Sequence, residues 1–306
     1  MSKENTLALF QNFPVAQAAL SLWVFKRRTV GGFSARAVNT TPGLTAQLRQ
    51  IVSSSVARLE EVEEYELLAQ VNEVSCLHLQ EDETVFSDLQ ALVDLPPEED
   101  LIKNIRQIDN SIGYLVRLRA DGQVIYCVKK VSDAWKASKA KSFFNVVVTG
   151  ANQLDLVDDR ALTIAKNFDF FVGGGGVLIA NKGAFESLLS FKLTYQNSFS
   201  ALQQNVQFSS LFVDVAPLVV HVGTNAMHLR RMAVIEQRGH YADAAYMNRL
   251  RVVNAQKNWG IEFDPQGRII ANDASLKTIM QVLLNHRLYS ELSLGTFDVP
   301  SAAQVA

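Results

Sequence analysis

Three groups of residues in this 306-residue chain are equipped for chemistry: a run of four glycines with a lysine behind it, an aspartate triplet, and a scatter of arginines and lysines. Gly173 to Gly176 lie between apolar runs in "NFDFFVGGGGVLIANKGAFESLL", upstream of Lys182. A phosphate-binding loop needs its lysine and a Ser/Thr to open a helix directly after the glycines, so that helix-terminal amides meet the phosphate. Here the strand-forming "VLIAN" intervenes, and Gly183 follows the lysine. A dinucleotide fingerprint fails on the same ground. The glycines are therefore read as a hairpin turn between two strands.

The segment "NQLDLVDDR" supplies Asp155, Asp158 and Asp159, the carboxylates a metal-dependent nuclease would need. No Glu-x-Lys pair accompanies them, and a loop with a helix cap accounts for the triplet. Cys76-Leu77-His78 has no second ligand pair and reads as a buried strand. His221, His228 and His240 form no i, i+4 pair around a glutamate, and no Gly-x-Ser-x-Gly elbow exists. No catalytic residue, metal ligand or cofactor follows from the sequence.

The cations point elsewhere. Between Asn225 and Lys257 stand Arg230, Arg231, Arg238, Arg249, Arg251 and Lys257 against Glu236 and Asp243. Two basic helices on a short turn can lay cations along a phosphate backbone, each neutralised phosphate releasing counterion. Tyr241, Tyr246 and Trp259 are close enough in sequence to stack on bases. A solvated helical hairpin with inward aromatics fits the same residues. A second group comprises Arg117, Arg119, Lys129 and Lys130, followed by Lys136, Lys139 and Lys141. Residues 1–100 carry 7 Lys/Arg and 15 Asp/Glu, net −8, whereas residues 101–306 carry 22 and 16, net +6. The asymmetry suits a polyanionic partner for the basic part. Arg117, Arg119, Lys129, Lys130, Arg230, Arg231, Arg249 and Arg251 are the DNA-binding candidates.

The elements that must position these residues follow from periodicity. "TPGLTAQLRQIVSSSVARLEEVEEYELL" has the three- and four-residue spacing of an amphipathic helix or helix pair, with Glu60, Glu61, Glu63 and Glu64 as its solvated face. "DETVFSDLQALVDL" forms another helix, capped by Asp82. "DLPPEED", Asp94 to Asp100, breaks the chain and marks a boundary between an acidic α/β region, 1–100, and an α+β region, 101–306. "SIGYLVRLRADGQVIYCVKKV" is a hairpin on a type I′ turn at Asp121-Gly122, pairing Arg119 with Val124, Leu118 with Ile125 and Arg117 with Tyr126. Tyr114, Val116, Leu118, Ile125 and Cys127 then share the core face, and Arg117, Arg119 and Tyr126 the other. The end of "PVAQAALSLWVF" is a first or edge strand, and its basic cluster follows the apolar run, the reverse of a signal peptide. Two thiols without a disulfide framework suit a reducing cytoplasm. Downstream, one helix spans about Asn225 to Arg238 and stops at Gly239, and a second begins at Asp243 and ends near Trp259. "GIEFDPQGRIIA" is a hairpin, and Asp273 caps a last helix reaching about His286. The fold class is α+β, helices packed on a mainly antiparallel sheet.

Two patches resemble a known family. "FFVGGGGVLIANKGAFESLLSFKLTYQNSFSAL", through Asn181, Lys182, Phe185, Glu186, Phe191 and Tyr195, is similar to the strand-turn-strand and "xNKxxFE" long-helix core of the Kiwa anti-phage defence KwaB-like family. "IMQVLLNHRLYSELSLGTFDVPS", through Leu284, Asn285, Ser290, Glu291, Leu292, Phe297 and Val299, resembles that family's ending. His286 stands where the family usually has an acid. The resemblance implies a cytoplasmic bacterial defence effector that binds phage DNA, acts as a homo-oligomer and works beside a small multi-spanning membrane protein, KwaA, which would recruit it to the inner membrane. It implies no cofactor or hydrolytic chemistry. A metal-dependent nuclease, or a protein-interaction subunit docking through its acidic part, are the alternatives.

Overall fold

The computed structural model describes residues 1–29, 32–80, 86–96, 101–102, 107–108, 111–131, 146–148, 154–156 and 164–299. The chain packs as two compact units: residues 1–65 with 70–189, and residues 66–69 with 190–306.

The first unit contains α1 (Lys3–Gln11), β1 (Ala19–Arg27), β2 (Phe33–Val38), α2 (Pro42–Ala57), β3 (Glu61–Glu64), β4 (Ser75–Gln80), α3 (Phe86–Val93), β5 (Gly113–Ala120), β6 (Gln123–Lys130), β7 (Val146–Val148), β8 (Leu154–Leu156), β9 (Phe170–Gly173), β10 (Gly176–Ile179) and α4 (Lys182–Leu188). Eight of these strands form one sheet in the order β2-β1-β5-β6-β9-β10-β4-β3. Every neighbouring pair is antiparallel except β3 with β4. Strands from before residue 100 flank those from after it on both edges of this sheet, so backbone hydrogen bonds tie the two expected regions together. The division falls after Leu189 and not at Asp94–Asp100.

The β5–β6 hairpin has the register its turn dictates, with Arg117 opposite Tyr126, Leu118 opposite Ile125 and Arg119 opposite Val124. Asp121 at φ 51° and Gly122 at φ 74° are the paired left-handed positions of a type I′ turn. Tyr114, Val116, Leu118, Ile125 and Cys127 are buried in one core with Phe10 of α1 and Leu48, Val52 and Val56 of α2. The opposite face is not a solvent face: Trp23, Leu115, Val128 and Phe170 are fully buried on it. Phe185 of α4 closes edge-on over Phe170, its ring centroid 5.1 Å away.

Two local expectations change. The amphipathic helix ends at Ala57, and Glu61 to Glu64 instead form strand β3, in parallel register with Ser75 to His78. The glutamates lie on a sheet edge because β4 offers that backbone a ladder partner. Asp82, the expected cap of α3, lies outside the described residues, as do Lys136, Lys139, Lys141, Asp158 and Asp159.

The second unit contains α5 (Phe191–Gln204), α6 (Val206–Ser209), α7 (Ala216–Val222), α8 (Ala226–Arg238), α9 (Ala244–Lys257), β11 (Glu262–Phe263), β12 (Ile269–Ile270), α10 (Leu276–Leu283), β13 (Arg287–Ser290) and β14 (Gly295–Asp298). The helix starts read from sequence hold for α8 and α9. Asn225 accepts from the amides of Met227 and His228, Gly239 stops α8 at φ 64°, and Asp243 accepts from Ala245. The long helix implied after "NKGAFE" is two helices, since Ser190 at φ 60° breaks the ladder between α4 and α5. The last helix begins at Leu276 instead of at Asp273; Asn272 accepts from the Ser275 amide and turns the chain into it.

Candidate nucleic-acid interface

The four glycines turn the chain, for two separate reasons. Gly174 and Gly175 are the two loop residues between β9 and β10 and hold φ of 61° and 77°, where a side chain is strained. Gly173 and Gly176 face each other across the strand pair and are small because α1 lies against them. A Cβ on Gly176 would stand 3.0 Å from Thr6 Oγ1 and 3.2 Å from His78 Nε2. His78 is wholly buried there, 3.2 Å from Thr6 Oγ1 through Nε2 and 3.1 Å from Glu64 Oε2 through Nδ1. The nucleotide loop is excluded by this packing, and the histidine fastens α1 to β3 and β4.

"NKGAFE" is built in the same way. The Asn181 side chain accepts from the Ala184 amide at 3.0 Å and caps α4. Lys182 and Glu186, one turn apart and both buried, approach to 3.9 Å. Tyr65 donates its hydroxyl to Glu186 at 3.0 Å and lies under the Lys182 ammonium. A buried charge needs such partners, so the residues that carry the family resemblance form a fastening between α4 and the end of β3.

The eight DNA-binding candidates separate in the structure. In the first unit, Lys129 donates to Asp169 at 2.8 Å and to Asn167 at 3.0 Å. Lys130 donates its ammonium to Ser187 at 2.8 Å, and its backbone amide to Asp169. Arg117 is half-buried with its guanidinium 5.2 Å from the Trp23 ring, and Arg119 is exposed. In the second unit, Arg251 donates twice to the Gly267 carbonyl at the β11–β12 turn and stacks over Phe263. Arg230 lies over Tyr195, Arg231 is half-buried, and Arg249 is 68% exposed, 3.9 Å from an exposed Asp243. The expected stacking aromatics are engaged by their own unit, and only Tyr241 of the three is buried. Tyr241 packs edge-on against Phe208, Tyr246 donates to the Val282 carbonyl and stacks on His240, and the Trp259 indole donates to Thr296.

Sequence reasoning missed a second gathering of charge in this unit. Arg287 donates from Nε and Nη2 to both Asp298 oxygens, at 2.7 and 3.0 Å, and from Nη1 to Thr278 at 2.8 Å. Lys277 Nζ is 4.0 Å from the same carboxylate. The Arg287 hydrogen bonds hold the Asp298 carboxyl below its ordinary range, with Lys277 and Arg231 adding to the effect. Beside it, Arg238 reaches the Leu284 carbonyl and the ring of buried His286. Burial, with Arg238 and Arg231 nearby, brings the His286 pKa down to about 4. The cross-strand pairing of Arg287 with Asp298 was legible once β13 and β14 were recognised as one hairpin.

Drawn by unit, the charge asymmetry shrinks. The first unit has 19 Lys/Arg against 22 Asp/Glu and the second 10 against 9, net −3 and +1. Among the described residues no group of three His, Cys, Asp or Glu could hold a metal ion, and no helix is long and apolar enough to cross a membrane. Both thiols are buried, which pushes Cys76 up to about 12 and Cys127 higher still, so neither is a ready nucleophile.

Fold and surface thus define an α+β protein with local gatherings of cations. The chain belongs to the Kiwa protein KwaB-like family, whose model matches residues 108–293, more than half of its length. That makes it a component of the Kiwa anti-phage defence system. No curated protein and no solved structure matches the chain.

Proposed function

We propose that this chain is the DNA-binding effector of its Kiwa system. It holds the phosphate backbone through arginines and lysines with little dependence on base sequence, it is not an enzyme, and it works as a homo-oligomer beside a small membrane-spanning partner. The observation that carries the DNA contact is Arg249 on α9. It is largely exposed and pairs at 3.9 Å with an exposed aspartate, a contact that a phosphate can displace at little cost. Arg230 and Arg231 of α8 and, in the other unit, Arg119 of β5 are further candidates, each with contacts to its own chain. Lys129, Lys130 and Arg251 are occupied by their own chain and contribute less, and Arg117 contributes through its position beside Trp23. Family membership supports the placement in a defence assembly with a partner.

The test is a titration of mixed-sequence duplex DNA, followed by fluorescence anisotropy, from about 50 to about 200 mM salt. Affinity should fall steeply across that range, and Arg249→Glu should weaken it at every salt concentration. An affinity that is absent at low salt, or indifferent to salt, overturns the proposal. Magnesium-dependent cleavage abolished by Asp158→Ala would replace it with the nuclease reading.

A further inference from the structure

We propose that Arg287 and Lys277 form a phosphate-binding site that the chain's own Asp298 occupies in the free protein, so that β14 competes with nucleic acid for it. This rests on the DNA-binding reading and adds to it a location and a restraint.

The argument begins from an imbalance. Three cations address one carboxylate: Arg287 with two parallel hydrogen bonds, Lys277 at 4.0 Å, and Arg231 close enough to favour the ionised form. A fourth, Arg238, lies next to them on the neutral His286 ring. Arg287 needs only one carboxylate for its fork, and that fork fits two phosphate oxygens equally well. Lys277 is 73% exposed and too far from Asp298 for a hydrogen bond, so its charge remains available to a second oxygen. The unit as a whole is nearly neutral, so this concentration of cations is a local feature and not a by-product of composition.

The competitor sits on a short hairpin. Among the described residues β14 pairs only with β13, in a two-stranded sheet, which has little stability of its own. Its outer apolar side chains are only partly covered: Leu288 and its cross-strand partner Phe297 are 40% and 50% exposed, and Leu292 and Leu294 at the tip are 100% and 72% exposed. Arg287 keeps its bond to Thr278, on α10, when Asp298 leaves, so the guanidinium stays aimed. A backbone phosphate entering the site therefore takes over the Arg287 fork and offers Lys277 an oxygen within hydrogen-bond reach, which Asp298 at 4.0 Å does not.

Asp298→Asn tests this, since it removes the competing charge while keeping the shape. With duplex DNA at about 100 mM salt, Asp298→Asn should bind roughly 5- to 10-fold more tightly than the native chain, and its salt dependence should steepen by about one phosphate's worth. Lys277→Ala added to Asp298→Asn should remove much of that gain. Circular dichroism and the melting temperature of each variant show whether it is folded at the assay temperature. Native DNA binding with an equal or weaker Asp298→Asn variant overturns the inference and leaves the DNA-binding reading intact. If the native chain binds no DNA, inorganic phosphate separates the two ideas. Phosphate raising the melting temperature of Asp298→Asn more than that of the native chain supports the anion site without DNA. No difference overturns both.

Discussion

Lys129 of β6 and Asp169, the residue just ahead of β9 and 40 positions away, meet at 2.8 Å, and the aspartate is nearly wholly buried. The lysine offered by the sequence as a phosphate contact is thereby the counter-ion of a core carboxylate. Asp169 also accepts from the Lys130 amide, while its own backbone carbonyl accepts from the Ala180 and Asn181 amides. The residue thus ties β6 to the start of α4.

Lys129→Ala should therefore act on stability before it acts on binding. Removing one partner of a buried ion pair costs about 3 kcal/mol or more, read as a lower urea midpoint. At a temperature where the variant is folded, its DNA affinity should remain within about twofold of native, which is under 0.5 kcal/mol. A large loss of DNA affinity with unchanged stability would return Lys129 to the interface.

Arg249→Ala should show the opposite pattern. Its exposed pairing with Asp243 contributes almost nothing to stability, so the melting temperature should stay within about 1 °C of native. DNA affinity should drop severalfold, and the slope of log affinity against log salt should become shallower by about one.

Stability should depend on pH through His286. Its pKa is about 4 in the folded chain and 6.5 ordinarily, so the folded state binds fewer protons than the unfolded state between those values. Stability therefore falls as pH drops from about 6.5 toward 4, by up to about 3 kcal/mol from this ring, and is flat above that window. His221 and His240, whose pKa values are lowered first by burial, act in the same direction. Urea melts at intervals across the window check the slope. His286→Gln, which still offers Arg238 an acceptor, should flatten part of it.

The four glycines should respond unequally. Gly176→Ala places a methyl group 3.0 Å from Thr6 and 3.2 Å from His78 and should cost about 1–3 kcal/mol. Gly175→Asn should be nearly neutral, because asparagine tolerates the left-handed φ of 77° that the turn requires. Equal losses at both positions, measured by chemical denaturation, would show that close packing of α1 does not constrain Gly176.

What the sequence determined by itself is local. Asp121-Gly122 set a turn and, through it, the full register of β5 and β6, because two left-handed residues admit one hairpin geometry. Asn225, Gly239 and Asp243 placed the ends of α8 and α9, because a cap acts on amides within one turn of itself. The tertiary structure decided what lay beyond such reach. Glu61 to Glu64 became a strand only because β4 was there to pair with them. Asp94 to Asp100 bounded no unit, because strands from both sides of it join one sheet. The fate of each cation was settled last: Lys129 by an aspartate just ahead of β9, Arg251 by a turn carbonyl, Arg287 by the carboxylate facing it across a hairpin. A charged side chain carries no short-range signal of which of these it will meet, since its partner is chosen by chain segments that approach only when the core closes.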